Sequence, residues 1–71
     1  MKQKLQTNVN GSWRNFIAFD ESNSMHIKAA AKLLGAFSEN RISFRIVSDR
    51  GVVLEHCLWP NFEWSEWEGE S

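Results

Sequence analysis

The sequence predicts an α+β fold, (β)-β-α-β-β, in which one helix packs on one face of a small antiparallel-dominated sheet. Two observations support this fold class. Residues 41–59 alternate apolar and polar residues on either side of a glycine-containing turn, a pattern typical of a β-hairpin. Residues 25–37 repeat apolar residues three and four positions apart, which is the spacing of a helix with one buried face.

The turn of this hairpin at residues 48–51 allows two registers. A two-residue loop would set Ile46 opposite Glu55, which places a charge against the core. A three-residue loop, with Gly51 in the left-handed conformation, pairs apolar residues with each other, and we expect this register. The pairs it predicts are Ser48 with Val52, Val47 with Val53, Ile46 with Leu54, Arg45 with Glu55, Phe44 with His56, Ser43 with Cys57, Ile42 with Leu58 and Arg41 with Trp59.

Two further strands are predicted before the helix. The pair Asn10-Gly11 is a strong signal for a two-residue hairpin turn, and it separates residues 3–9 from residues 12–19. We expect 3–9 to form a short edge strand, because its lysines discourage pairing with another chain. Residues 12–19 are apolar on both faces toward their end, which favours a central strand.

The helix is expected to begin at the capping residues 22–24 and to end at residues 38–40. Gly35 costs about 1 kcal/mol relative to alanine inside a helix. Either the packing requires a small residue there, or the helix ends early. The apolar stripe expected to face the sheet consists of Ile27, Ala30, Ala31, Leu34 and Phe37. The strand residues expected in the core are Phe16 or Ile17, Phe19, Ile42, Phe44, Ile46, Leu54 and Leu58.

Length and cysteine content limit the kind of protein this can be. A chain of 71 residues forms one small domain with a single core. Its one cysteine excludes an intramolecular disulfide, which favours a reducing compartment. The first residues lack the apolar segment of a signal peptide, and no apolar run is long enough to span a membrane. We therefore expect a cytoplasmic protein without membrane contact.

The charges divide the chain into two unequal parts. All eight Lys and Arg lie in residues 1–50, where four acids leave a balance of +4, whereas residues 51–71 contain five Glu and no base. Pro60 is expected to end the sheet, because proline cannot donate a ladder hydrogen bond. The sequence thus predicts one domain over residues 1–60 and an acidic, Trp-rich C-terminal tail over residues 61–71.

The tail is the predicted protein-binding site. Tryptophan is enriched at interface hot spots, and glutamates around it suit a partner with a basic surface. The predicted interface residues are Trp59, Phe62, Glu63, Trp64, Glu66, Trp67 and Glu68. The alternative is structural: Trp59 and Phe62 would close the small core, while Trp64 and Trp67 would cover an edge of the sheet.

The sequence contains no recognisable catalytic site. His56 and Cys57 are adjacent, but neighbouring residues of a strand face opposite sides, so they cannot act together as base and nucleophile. We expect Cys57 to be a small apolar filler. His26, His56 and Cys57 do not have the spacing of a zinc site, and no phosphate-binding glycine loop is present. Neither enzymatic activity nor a cofactor or metal is expected.

Nucleic-acid binding is the second functional class. A basic helix or sheet surface with aromatic residues could bind RNA or DNA. The candidate contacts are Arg14, Lys28, Lys32, Arg41, Arg45 and Arg50. Against this class stand a sequence pI near 6.1 and the late glutamates, which repel phosphate.

Residues 43–53 (SFRIVSDRGVV), followed by Trp59 and Asn61-Phe62-Glu63, resemble the central hairpin of small uncharacterised plasmid- and prophage-borne proteins. The strand–helix–hairpin order is also similar to that of small phage proteins that inhibit host RNA polymerase or CRISPR complexes. Fold analogy does not establish function. What the resemblance implies is a mobile-element protein that occupies a host complex in the bacterial cytosol.

The sequence therefore predicts a non-catalytic protein-binding module, an inhibitor or adaptor encoded by a phage or plasmid. Anti-CRISPR activity, another counter-defence role and inhibition of RNA polymerase are examples of this class. The alternative is a small RNA- or DNA-binding domain. Monomer and homodimer both remain open.

Overall fold

The computed structural model describes residues 1–66. Its elements are β1 (Lys2–Val9), β2 (Ser12–Asp20), a short 3₁₀ helix (Glu21–Asn23), α1 (Ser24–Phe37), β3 (Ser43–Ser48), β4 (Val53–Cys57) and β5 (Trp64–Glu66). The strands form one antiparallel sheet in the order β2-β1-β3-β4-β5. Helix α1 packs on one face of this sheet, so the predicted α+β class is confirmed.

The first hairpin turns at the predicted Asn10-Gly11 pair. Both residues have positive φ, 67° and 90°, as the two-residue turn requires. The side chain of Asn8 adds a local hydrogen bond, because its Oδ1 accepts from the backbone N–H of Gly11 at 3.0 Å. The turn joins β1 to β2 in the register that pairs Val9 with Ser12.

The predicted roles of the first two strands were wrong. Strand β1 is central, between β2 and β3, and β2 lies at the edge. The lysines of β1 are compatible with this position because side chains alternate along a strand. Leu5 faces the helix and is only 2% exposed, whereas Lys2 and Lys4 lie on the opposite face and reach solvent.

The second hairpin has the predicted three-residue loop. Gly51 has a φ of 84°, and the N–H of Ser48 donates to the carbonyl of Val52 at 2.8 Å. Val47 pairs with Val53 as expected, but Leu54 is then an extra residue in β4. This bulge changes the later pairs, so the predicted pairing of Ile46 with Leu54 was wrong.

Beyond the bulge, Ile46 lies opposite Glu55, the pair that the sequence argument rejected. The buried face accepts this carboxylate because the helix supplies its counter-charge. Nζ of Lys28 in α1 lies 2.6 Å from Oε2 of Glu55, with both side chains about three-quarters buried. The charge is thus compensated by a residue of the helix, outside the hairpin that carries Glu55.

The helix approaches the sheet along its smallest residues. Ala31 and Gly35, four positions apart, are its buried residues, and Ile27 is partly buried on the same line. Leu34 and Phe37 are exposed, so their predicted place in the core was wrong. Gly35 is accounted for by the packing, because a methyl group at this position would overlap the aromatic ring of Phe62.

The sheet does not end at Pro60. After this residue the chain returns along β4, and Trp64–Glu66 pair with Glu55–Cys57 as β5. Phe62 is buried beneath the helix at 9% exposure. Its φ of 52° is unusual for an aromatic residue, and such a conformation persists where surrounding contacts enforce it. Residues 61–66 therefore contribute both to the core and to the sheet.

The core lies between the helix and strands β1 to β4, and Phe62 closes it after β4. Its buried residues are Leu5, Phe19, Ala31, Phe44, Ile46, Cys57 and Phe62, and Ile27, Ile42, Leu54 and Trp64 pack partly against them. The predicted burial of Phe19, Phe44 and Ile46 is confirmed, whereas Leu58 is exposed. Leu5 and Phe62 were missed by the pattern.

Replacement of Gly35 by alanine should destabilise the protein, although alanine is the better helix former. The helix gains about 1 kcal/mol in propensity, but overlap with Phe62 should cost about 1–3 kcal/mol or more. Thermal melting should show a lower Tm for Gly35→Ala. In a Phe62→Leu background the same change should cost less or become stabilising. A higher Tm for the single variant would contradict the packing of Phe62 against Gly35.

Asp20 should make stability pH-dependent in acid. Its carboxylate accepts hydrogen bonds from the Ser22 hydroxyl at 2.7 Å and the Ser22 N–H at 3.0 Å, with the N-terminal ammonium 3.6 Å away. These contacts lower the pKa of Asp20 from 3.8 to about 2. Because the folded-state pKa is depressed, the contribution is present above pH 3.8 and is lost as the pH falls through about 2.

Between pH 5 and pH 2, the Tm should therefore fall less steeply for Asp20→Asn than for the parent. Ser22→Ala should raise the pKa of Asp20, measured by an NMR titration of its carboxyl carbon. An unchanged pKa in Ser22→Ala would contradict the hydrogen-bond origin of the shift.

Candidate binding surfaces

One helix cannot cover the whole sheet. Five strands at about 4.8 Å spacing are roughly 19 Å wide, whereas a helix with its side chains is about 10–12 Å across. The helix is held toward β4 and β5, because Nε1 of Trp64 donates to the carbonyl of Lys28 at 2.9 Å and Phe62 fills the space below Gly35. Among residues 1–66, the part of β2 around Phe16 is consequently left without a helical cover, whereas Phe19 near the end of the same strand is buried.

An apolar groove of about 760 Å³ lies in this uncovered part, between α1 and the strands β2 and β1. Its lining residues are Thr7, Phe16, Ala30, Leu33, Leu34, Phe37, Ser38, Ile42 and Phe44, none of them charged. We call this site the α1–β2 groove. Contiguous apolar surface of this kind marks interaction sites more often than isolated exposed residues do.

Phe16 reaches the groove because β2 contains a bulge. The pairs Leu5–Ile17 and Gln6–Asn15 leave Phe16 as the extra residue in β2, and a bulge re-aims side chains locally. Phe16 is 54% exposed. The helix contributes Leu33, Leu34 and Phe37 from the other side, and Phe37 is 83% exposed. Large apolar side chains thus face solvent from both walls of one groove.

The predicted interface residues have different environments. Trp59 is exposed, and its ring stacks with the guanidinium of Arg41 at 4.7 Å. Phe62 is buried and Trp64 is half-buried against the helix. Glu63 and Glu66 are exposed, while Trp67 and Glu68 lie outside the described residues. The structural alternative, in which these residues close the core and cover the sheet edge, therefore accounts for Phe62 and Trp64.

The six predicted nucleic-acid contacts are not assembled on one surface. Lys28 pairs with Glu55 on the helix side of the sheet, and Lys32 lies on the helix. Arg45 lies on the opposite face, which we call the open face, next to Gln6 and Trp13. Arg50 is in the second hairpin turn. Arg14 pairs with Thr7 on the helix-facing side of β2, and Arg41 precedes β3.

Cys57 has the environment of a packing residue. It is fully buried and lies opposite Phe44 in the core. Burial raises the pKa of its thiol, with a smaller opposing effect from Lys32. A raised pKa lowers the fraction of the reactive thiolate at neutral pH. His56 pairs with Arg45, one position along the strand and therefore on the other face.

Comparison with protein-family models, curated proteins and solved structures gives no match. The binding surfaces must therefore be interpreted from their own geometry. Within residues 1–66, no helix combines the length and the apolar character that crossing a bilayer requires. The same part of the chain contains no group of three His, Cys, Asp or Glu side chains arranged to hold a metal ion.

The sequence analysis missed the groove because it assigned Ala30, Leu34 and Phe37 to the same buried stripe as Ala31. The helix has two stripes, and Ala31 and Gly35 form the buried one. Ala30, Leu33, Leu34 and Phe37 form the second stripe, beside the groove. The sequence signal for the groove was the width of the apolar face of α1, because a helix that packs only on one sheet needs a single, narrower apolar face.

Proposed function

We propose that this protein is a non-catalytic binding module whose α1–β2 groove receives an amphipathic helix of a partner protein. The observation that supports this most directly is the contiguous exposure of Phe16, Leu33, Leu34 and Phe37 around one uncharged groove. An inhibitor or adaptor that occupies a protein complex needs such a surface and needs no catalytic group.

A helix is the occupant that suits the shape of the site. The vacant part of the sheet is about one helix wide, since roughly 19 Å of sheet is covered by a single helix about 10 Å across. A partner helix would lie beside α1 in the same layer, contact Leu34 and Phe37 laterally, and rest on Phe16. Recognition of an amphipathic helix by an apolar groove is a recurrent mode of protein binding.

The more specific prediction is a phage- or plasmid-encoded inhibitor acting in the cytosol of a bacterial host, for example on a CRISPR complex or on RNA polymerase. The groove is compatible with this role, because an inhibitor that occupies a host complex requires a binding surface and no catalytic residues. The origin and the identity of the target stay predictions, as do the contributions of the exposed Trp59, Glu63 and Glu66.

Phe37→Glu should weaken partner binding roughly 30-fold or more, with little effect on folding. Phe37 is exposed, so the substitution buries no charge in the free protein, but it places a carboxylate where apolar surface meets the partner. Loss of a hot-spot contact costs about 2 kcal/mol or more, which corresponds to roughly 30-fold in affinity. Met25→Glu is the matched control, because Met25 is 80% exposed on the same helix and does not line the groove.

The partner and its segment can be identified by photo-crosslinking. With p-benzoylphenylalanine at position 37, crosslinks in a bacterial lysate should map by mass spectrometry to an amphipathic helix, and the same group at position 25 should not give them. The purified partner should then bind the parent and Met25→Glu equally and Phe37→Glu weakly. Equal binding by all three proteins would contradict the proposal. Crosslinks to this chain itself would assign the groove to a homodimer.

A further inference from the structure

We propose that the open face of the sheet is a second binding site, and that its ligand is single-stranded nucleic acid. This face lies opposite helix α1 and is distinct from the α1–β2 groove. Strand alternation places Lys2 and Lys4 of β1 on it, because Leu5 faces the helix. Arg45 pairs with Gln6 across β1 and β3 and therefore adds a third cation.

The open face presents the indole ring of Trp13 together with these cations. The guanidinium of Arg45 stacks on Trp13 with its Cζ 4.3 Å from the ring centroid. A second stack of the same type joins Arg41 and Trp59 at 4.7 Å, just beyond the ends of β3 and β4. Indole and guanidinium planes are the surfaces on which unpaired bases stack in proteins that bind single strands.

The first stack is held in place by hydrogen bonds. Nε of Arg45 donates to Oε1 of Gln6 at 2.6 Å, and Nε2 of Gln6 donates to Oδ1 of Asn15 at 2.8 Å. This chain of side chains runs across β3, β1 and β2. The guanidinium is thereby oriented before any ligand arrives, and pre-organisation lowers the entropic cost of binding.

The two stacks lie at the same end of the sheet. Asn8 pairs with Trp13 on one side and with Ser43 on the other, and the Ser43 hydroxyl accepts from the backbone N–H of Trp59 at 3.1 Å. Three strand spacings, about 14 Å, separate β2 from β4. Polar side chains, those of Asn8 and Ser43, lie between the stacks, so an extended strand crossing this end would meet stacking surfaces at both sides and hydrogen-bonding groups between them.

The distribution of carboxylates agrees with a phosphate-bearing ligand. Glu55 and Glu66 pair with each other across β4 and β5 on the helix side, away from this face. Among the described residues, the carboxylates beside the open face are at its margins. Asp20 lies at the end of β2, opposite Lys2 and next to the N-terminal ammonium, and Glu63 is beside β5 near Ser65. The acidic overall balance of the chain is therefore compatible with a locally basic face.

A single strand fits better than a duplex. Bases stack on exposed rings only when they are not already stacked and paired, and a duplex hides its base faces. Lys4, Arg41 and Arg45 provide phosphate attraction, while the two Arg–Trp stacks provide sequence-tolerant contacts. Lys2 lies at the opposite end of β1, beside Asp20, and contributes less. Little dependence on base sequence is therefore expected.

Fluorescence anisotropy of the full chain with a labelled oligonucleotide of about 12 nucleotides, the upper part of the usual site size for one small domain, tests this directly. The single strand is supplied as DNA and as RNA. Binding should exceed that of the matching duplex and should weaken with salt, with a log–log slope of about −2 if three cations each neutralise one phosphate. Tighter binding of the duplex, or no salt-dependent binding of either single strand, would overturn the proposal.

Substitutions locate the site. Trp13→Ala and Trp59→Ala should each weaken binding roughly 5- to 150-fold, the range of base stacking on an aromatic ring, while Trp13→Phe should retain most of it. Lys4→Gln should weaken binding, and the matched control Lys32→Gln, an exposed helix residue, should not. Equal losses for Lys4→Gln and Lys32→Gln would overturn the assignment to this face.

Two controls distinguish binding at the open face from unfolding and from binding at the groove. Thermal melting of each variant excludes unfolding as the cause of lost binding, and Trp59→Ala and Lys4→Gln keep the test decisive if Trp13→Ala does not fold. Phe37→Glu should leave oligonucleotide affinity unchanged, since the α1–β2 groove is on the other side. If a poly-glutamate peptide competes as strongly as the single strand, the face binds acidic protein and the nucleic-acid assignment fails.

Discussion

The arrangement of this protein depends on the contact between Phe62 and Gly35. The aromatic ring occupies the space that a side chain at Gly35 would need, so the helix can lie this close to Phe62 because residue 35 is a glycine. The hydrogen bond from Trp64 to the carbonyl of Lys28 holds the same segment under the preceding turns. Together the two contacts place the helix toward β4 and β5, and this position explains the burial of Ala31 and the exposure of Phe37.

The uncovered surfaces follow from this asymmetry. Because one helix is about half as wide as five strands, a helix displaced toward β5 must leave the β2 side of its own layer open. Within the described part of the chain, the opposite face has no helix and contains the polar and cationic side chains of β1 and β3 around the buried Val47. One small domain thus presents an apolar groove on one side and a cationic, aromatic sheet face on the other. The two surfaces differ in chemistry because strand alternation separates their residues.

Two bulges decide which side chains reach these surfaces. The extra residue Phe16 in β2 brings an additional aromatic ring to the groove, and the extra residue Leu54 in β4 sets Glu55 against the helix side. In both cases the turn that starts the hairpin is specified locally, by Asn10-Gly11 and by Gly51. The position of a bulge is not specified locally, because it depends on contacts outside the hairpin, such as the ion pair between Lys28 and Glu55.

The sequence by itself determined the class of fold, the single helix, both hairpin turns and the burial of Phe44 and Ile46, because periodicity and turn chemistry are local properties. It also indicated that Gly35 is present either because the packing requires a small residue or because the helix ends early, without deciding between the two. Only the tertiary structure placed β1 at the centre of the sheet, brought Phe62 beneath the helix and left Leu34 and Phe37 exposed beside Phe16. These features depend on which distant segments meet, and the free energy of those contacts is not encoded in the pattern of any one segment.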